Sequence, residues 1–98
     1  MIQIVQSYEF KKWFLKLRDS KAKARINVAL SRMEMGNFCN TKYISDGISE
    51  IKIDYGPGYR VYFIRSDEKL VVLLAGGDKG SQKIDIKKAK EIAKEWSF

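Results

Sequence analysis

Leu70 to Leu74, LVVLL, is apolar at every position, so a strand made of it has no face to offer water. The stretch predicts a central strand covered on both sides. In a chain of 98 residues, that leaves room for one modest core of helices packed on a sheet.

The neighbouring segments alternate instead. From Asn40 the hydrophobic period is two, giving a short strand near Thr41 to Ile44 and a turn at Asp46-Gly47. Strands then follow over Ile48 to Ile53, Tyr59 to Arg65 and Leu70 to Ala75. The last three run as an antiparallel meander.

Before Asn40 the period is that of a helix. Ile2 and Ile4 open a short strand, Ser7 is placed to cap a helix, and Phe10, Trp13, Phe14 and Leu17 fall on one face of it. Arg18 to Lys21 interrupts that pattern and Ser20 offers a second cap. Ala22, Ile26, Ala29, Leu30 and Met33 resume the pattern until Gly36 and Asn37 stop it, and the short link makes the two helices antiparallel. Ser81 to Trp96 predicts the helix over the second sheet face, with Ile84, Ala89, Ile92, Ala93 and Trp96 inward and Lys83, Lys87, Lys90 and Lys94 outward. The order β-α-α-β-β-β-β-α describes an α+β fold: an N-terminal strand and helix pair, an antiparallel meander sheet and a C-terminal helix. It forms a single domain over residues 1–98.

The formal charge of +7 and a pI near 9.6 point to a phosphate-bearing or acidic partner. The chain contains no histidine, which removes the commonest general base and zinc ligand together. The lone Cys39 reads as a packing residue of a reducing compartment. With no basic leader and no run near the ~20 apolar residues a bilayer requires, the expectation is a cytoplasmic protein without membrane contact.

The hairpin around Asp54-Tyr55-Gly56-Pro57-Gly58 carries the chemistry. For the apolar sets Ile51, Ile53 and Val61, Phe63 to share a face, the loop must hold an odd number of residues, which sets Ile53 opposite Tyr59. Lys52 then faces Arg60, and Glu50 faces Tyr62. Like charges across a strand pair are unfavourable unless an anion or solvent lies between them, so Arg60 is expected on an open face. Glu50 could pair with either cation, and Tyr62 could pack under the last helix. A second anion signal is AGGDKGS, Ala75 to Ser81, where glycines leave the apolar strand and enter a helix start beside Lys79.

EIKIDYGPGYRVYF, LLAGGDKGSQKIDIKKAK and SYEFKKWFLKLRDSKAKARI together resemble the RelE/HigB-type toxins of bacterial toxin–antitoxin modules, and among these the short addiction-module killer proteins of a phage-derived, Gp49-like group. The resemblance covers nearly the whole chain. It implies a RelE-like fold and ribosome-dependent cutting of mRNA that leaves a 2′,3′-cyclic phosphate. It also implies a cognate antitoxin, usually a helix-turn-helix protein. ParE-type relatives share the fold and inhibit DNA gyrase without cutting RNA, so a non-enzymatic gyrase-binding or protein-binding module is the alternative. By this resemblance Arg60 contacts the scissile phosphate, Lys52 matches a lysine of the preceding strand, and Lys79 matches a basic residue after the central strand. Where several members carry a tyrosine or histidine near the start of the last helix, this chain has Lys83 and Asp85.

Attack by the 2′-hydroxyl needs a proton acceptor and charge stabilisation at the phosphate. The expected catalytic set is Arg60, Lys52, Lys79 and Asp85, with Lys52 first and Asp85 second as base; Tyr62, Lys83 and Tyr55 are the expected RNA contacts. Glu50-Ile51-Lys52 spells the E-x-K of metal nucleases, but too few carboxylates converge for a two-metal site, so no metal or other cofactor is expected. The antitoxin is expected over the Lys52, Arg60 and Lys79 cleft or over the helix pair, with Trp13, Trp96 or Phe98 as candidate anchors.

Overall fold

The computed structural model describes residues 1–67 and 69–96; Phe98 lies outside the described residues. The elements are β1 (Gln3–Gln6), α1 (Tyr8–Lys16), α2 (Ser20–Glu34), β2 (Thr41–Ser45), β3 (Ile48–Ile53), β4 (Tyr59–Ser66) and β5 (Leu70–Gly77). A short 3-10 turn (Lys79–Ser81) then leads into α3 (Gln82–Ala93).

The five strands form one sheet in the order β1-β5-β4-β3-β2. β2 to β5 pair antiparallel, while β1 lies parallel to β5 with Gln3 opposite Leu70, so the sheet is mixed. The apolar run therefore sits between two strands, as a strand without a polar face must. The sheet separates two cores. Phe10, Ile26 and Met33 of α1 and α2 pack on Ile51, Val61, Phe63, Val71 and Leu73, and Ala89 and Ile92 of α3 pack on Ile48, Ile64, Val72 and Leu74.

Local chemistry sets the helix starts. The Phe10 N–H donates to the Ser7 hydroxyl at 3.0 Å, and that hydroxyl donates to the Leu74 carbonyl at 2.7 Å, which fastens α1 to β5. The second cap is Asp19, not Ser20: the Asp19 carboxylate accepts from Lys21 and Ala22 N–H, so the helix begins at Ser20, one residue earlier than Ser20 capping requires. Cys39 is exposed and packs in neither core. Ile84 is 69% exposed, contrary to its inward assignment. Asp85 is the buried residue of the first turn of α3, and the inward stripe runs through 85, 89, 92 and 96, which turns position 84 outward.

Candidate phosphate-binding cleft

The register that parity requires is present. Ile53 faces Tyr59, Lys52 faces Arg60 and Glu50 faces Tyr62. The turn between the strands is tight, and Gly56 (φ +57°) and Gly58 (φ +80°) both lie in the left-handed region. A Cβ on Gly58 would stand at ordinary contact distance, 3.5 Å from Arg60 Nη1 and 3.8 Å from Lys79 Cβ, so it is the positive φ and not lack of space that calls for glycine here.

Lys52, Asp54, Arg60, Lys79 and the Tyr55-to-Gly58 turn line one recess of about 350 Å³. The two facing cations are each given a carboxylate. Lys52 Nζ lies 3.4 Å from Asp54 on the solvent side, and Arg60 Nε lies 3.4 Å from Glu50 beneath it.

Arg60 is not on an open face: the residue is only 7% exposed. Glu50 makes that burial tolerable, because an unpaired guanidinium under α3 would carry a large desolvation penalty. The contact with Glu50 is Coulombic, since Nε has the right distance but no hydrogen-bond geometry. Nη1 donates to the Gly58 carbonyl at 2.9 Å, which fixes the plane of the fork, and Nη2 has no hydrogen-bond partner among the described residues. The side chain is thus held by Glu50 and by the Gly58 carbonyl, and Arg60 lines the recess.

Lys79 is exposed and supplies only its charge. The AGGDKGS segment does not present a row of free N–H groups, because Gly80 N–H donates to the Asp78 carboxylate at 2.8 Å and Ser81 N–H to the Asp78 carbonyl at 3.3 Å. Its glycines serve packing: a Cβ on Gly76 would overlap the Trp13 ring, and one on Gly77 would overlap the Asp85 carboxyl.

Asp85, expected as the second base, is therefore elsewhere. It is buried against Gly77, accepts a hydrogen bond from the Ser81 hydroxyl, and belongs to a separate recess of about 330 Å³ with Trp13 and Tyr59. Tyr62 is fully buried under α3 and touches no solvent, so it is not an RNA contact. Its hydroxyl has no hydrogen-bond partner, and desolvation first, then the Glu50 and Asp85 carboxylates, pushes the phenol up to about 12. Lys83 is exposed on α3 and lines neither recess. Tyr55 does line the cleft; its hydroxyl donates to Asp19 at 3.3 Å, and desolvation, then that contact, raises its pKa.

Asp54, Asp19 and Arg25 are the participants that sequence reasoning did not single out. Asp54 shares the parity of Lys52 and could have been found by extending that count. Asp19 and Arg25 reach Tyr55 from α2 across a gap of 30 or more positions, and no local pattern signals this. Among the described residues, no three Asp, Glu or Cys side chains gather as a metal site, and no helix is long and apolar enough to cross a membrane.

The fold is RelE-like. A chain of the intact Escherichia coli RelBE toxin–antitoxin complex superposes with a TM-score of 0.64 at 21% identity, over 80% of this chain and 96% of that one. Residues 12–97 match the family described as "Phage derived protein Gp49-like (DUF891)", and the protein belongs to that family. An uncharacterized protein of Haemophilus influenzae is 48% identical over 94 residues, covering 96% of this chain and 95% of that protein.

Proposed function

We propose that this protein is the toxin of a type II toxin–antitoxin module, an endoribonuclease that cuts mRNA on the ribosome by 2′-hydroxyl attack and so inhibits translation. The observation that carries the reading is the gathering of Lys52, Arg60 and Lys79 around one recess, with the Arg60 fork held rigid by Glu50 and Gly58. The fold it shares with a chain of a toxin–antitoxin complex supports a cognate antitoxin as partner.

In the proposed reaction the 2′-oxygen attacks phosphorus, the bond to the 5′-oxygen breaks, and the leaving oxygen takes a proton from water, so the products are a 2′,3′-cyclic phosphate and a 5′-hydroxyl. Arg60 donates to a non-bridging oxygen and Lys79 adds a point charge, both meeting negative charge that grows in the transition state. Lys52 is ion-paired with Asp54, and its part is electrostatic. Asp54 is the one carboxylate among the residues lining the recess, and it takes the 2′-hydroxyl proton.

Purified protein added to a cell-free translation reaction is expected to give codon-phased mRNA cuts ending in 2′,3′-cyclic phosphate, and Asp54→Asn to slow them ~10²-fold. Intact mRNA with arrested gyrase would instead establish the ParE-type alternative. A 3′-hydroxyl product would rule out the 2′-hydroxyl mechanism.

A further inference from the structure

We propose that the face of α2 bearing Arg25 and Arg32 is a track for single-stranded RNA, with Tyr55 and Arg25 forming a platform on which a base flanking the scissile phosphate stacks. The proposal rests on reading the Arg60 recess as an RNA phosphate site, and it extends that site across the molecule.

Arg25, Val28, Ala29 and Arg32 recur at the spacing of one helical stripe. With Lys52 and Asp54 they line a groove of about 350 Å³ between α2 and the end of β3. Lys52 and Asp54 also line the Arg60 recess, so the two depressions are continuous through shared side chains. α2 carries Lys21, Lys23, Arg25 and Arg32 against a single carboxylate, Glu34, and neither arginine has an acidic residue three or four positions away. Neither takes part in an ion pair among the described residues. A helix face serving only solubility would intersperse the two signs to gain the small i,i+4 contribution; this one leaves its cations available.

The chemistry at the junction distinguishes RNA from an acidic peptide. Tyr55 is held by its hydroxyl on Asp19, and the Arg25 guanidinium lies over its ring at 4.8 Å. Flat aromatic and guanidinium surfaces are what unpaired bases stack on, whereas a carboxylate chain would use the charges alone. Asp54 is the one carboxylate lining the two depressions, and its ion pair with Lys52 offsets its charge, while Asp19 meets the platform through the Tyr55 hydroxyl. Phosphates on either side of it meet Arg60 and Lys79 at one end and Arg25 and Arg32 at the other.

The test is fluorescence anisotropy of the intact protein with a labelled, unstructured 12-nucleotide RNA over a series of salt concentrations. Arg25→Gln/Arg32→Gln should weaken binding and reduce the log K against log salt slope by about 1.4, two contacts at ~0.7 each. Tyr55→Leu should weaken the 12-mer about tenfold through lost stacking. Lys11→Gln/Lys16→Gln removes the same charge from α1 and should change the slope far less. Equal loss in the α1 and α2 variants, with Arg60→Lys still impaired, would overturn the track and leave the phosphate recess standing. Absence of RNA binding by the wild-type protein at low salt would overturn both. If the α2 variant kept its RNA affinity but lost affinity for the protein encoded by the adjacent reading frame, the face would belong to a protein partner and the track would be wrong.

Discussion

The two faces of the sheet are built by the same strands and are chemically opposite. The face under α1 and α2 is closed by Ile51, Ile53, Val61, Phe63, Val71 and Leu73, with no buried charge among them. The face under α3 buries Glu50, Arg60, Asp85 and the Tyr62 hydroxyl among its apolar residues. Burial of apolar area stabilises without direction, and both faces carry it, so the charged groups are not what the second face needs in order to pack. The Glu50–Arg60 pair adds little net stability, since a buried ion pair roughly cancels its own desolvation. What the face gains is a guanidinium whose orientation is fixed at the mouth of a recess.

The largest expected effect follows from breaking the pair. Arg60→Ala should lower cleavage ~10²-fold or more, and it should also destabilise the fold by ~3–5 kcal/mol, because Glu50 is left buried and unpaired. Glu50→Leu/Arg60→Met should recover most of that stability, measured by urea unfolding, and remain inactive. A double variant as unstable as the single one would mean that the polar face also holds the fold together.

Phe63→Ala on the opposite face should cost ~3–5 kcal/mol through the cavity it leaves. The cleft residues are untouched, so the fraction still folded should cleave at the wild-type rate. A drop in specific activity larger than the unfolded fraction would show that the two faces are mechanically coupled.

The smallest effect sharpens the comparison. Tyr62→Phe removes a buried hydroxyl that bonds to nothing, and it should leave Tm unchanged or raise it slightly. The phenol is pushed from 10.0 up to about 12 in the folded protein, so above pH 10 the unfolded chain loses this proton first. The stability Tyr62 contributes is complete below pH 10 and is lost as pH rises toward 12. Tyr62→Phe should therefore show a shallower loss over that window than wild type, by thermal unfolding at each pH.

Much of this was legible in the chain. Hydrophobic period alone specified the element order, and strand parity alone specified that Lys52 faces Arg60 and Glu50 faces Tyr62, because a slip of one residue would turn Ile51, Ile53, Val61 and Phe63 to the wrong side. The all-apolar run at Leu70 to Leu74 specified an interior strand, since it can leave no face in water. Other features waited on the tertiary structure: the parallel seat of β1, the burial of Arg60, the removal of Asp85 from the cleft, and the reach of Arg25 and Asp19 to Tyr55. Periodicity records which side of its own element a residue occupies. It does not record how far α3 rotates over the sheet, which neighbour a four-residue strand chooses, or which distant carboxylate arrives to offset a charge. Those depend on contacts between segments far apart in sequence, and they decided which of the cations named from the chain share one recess.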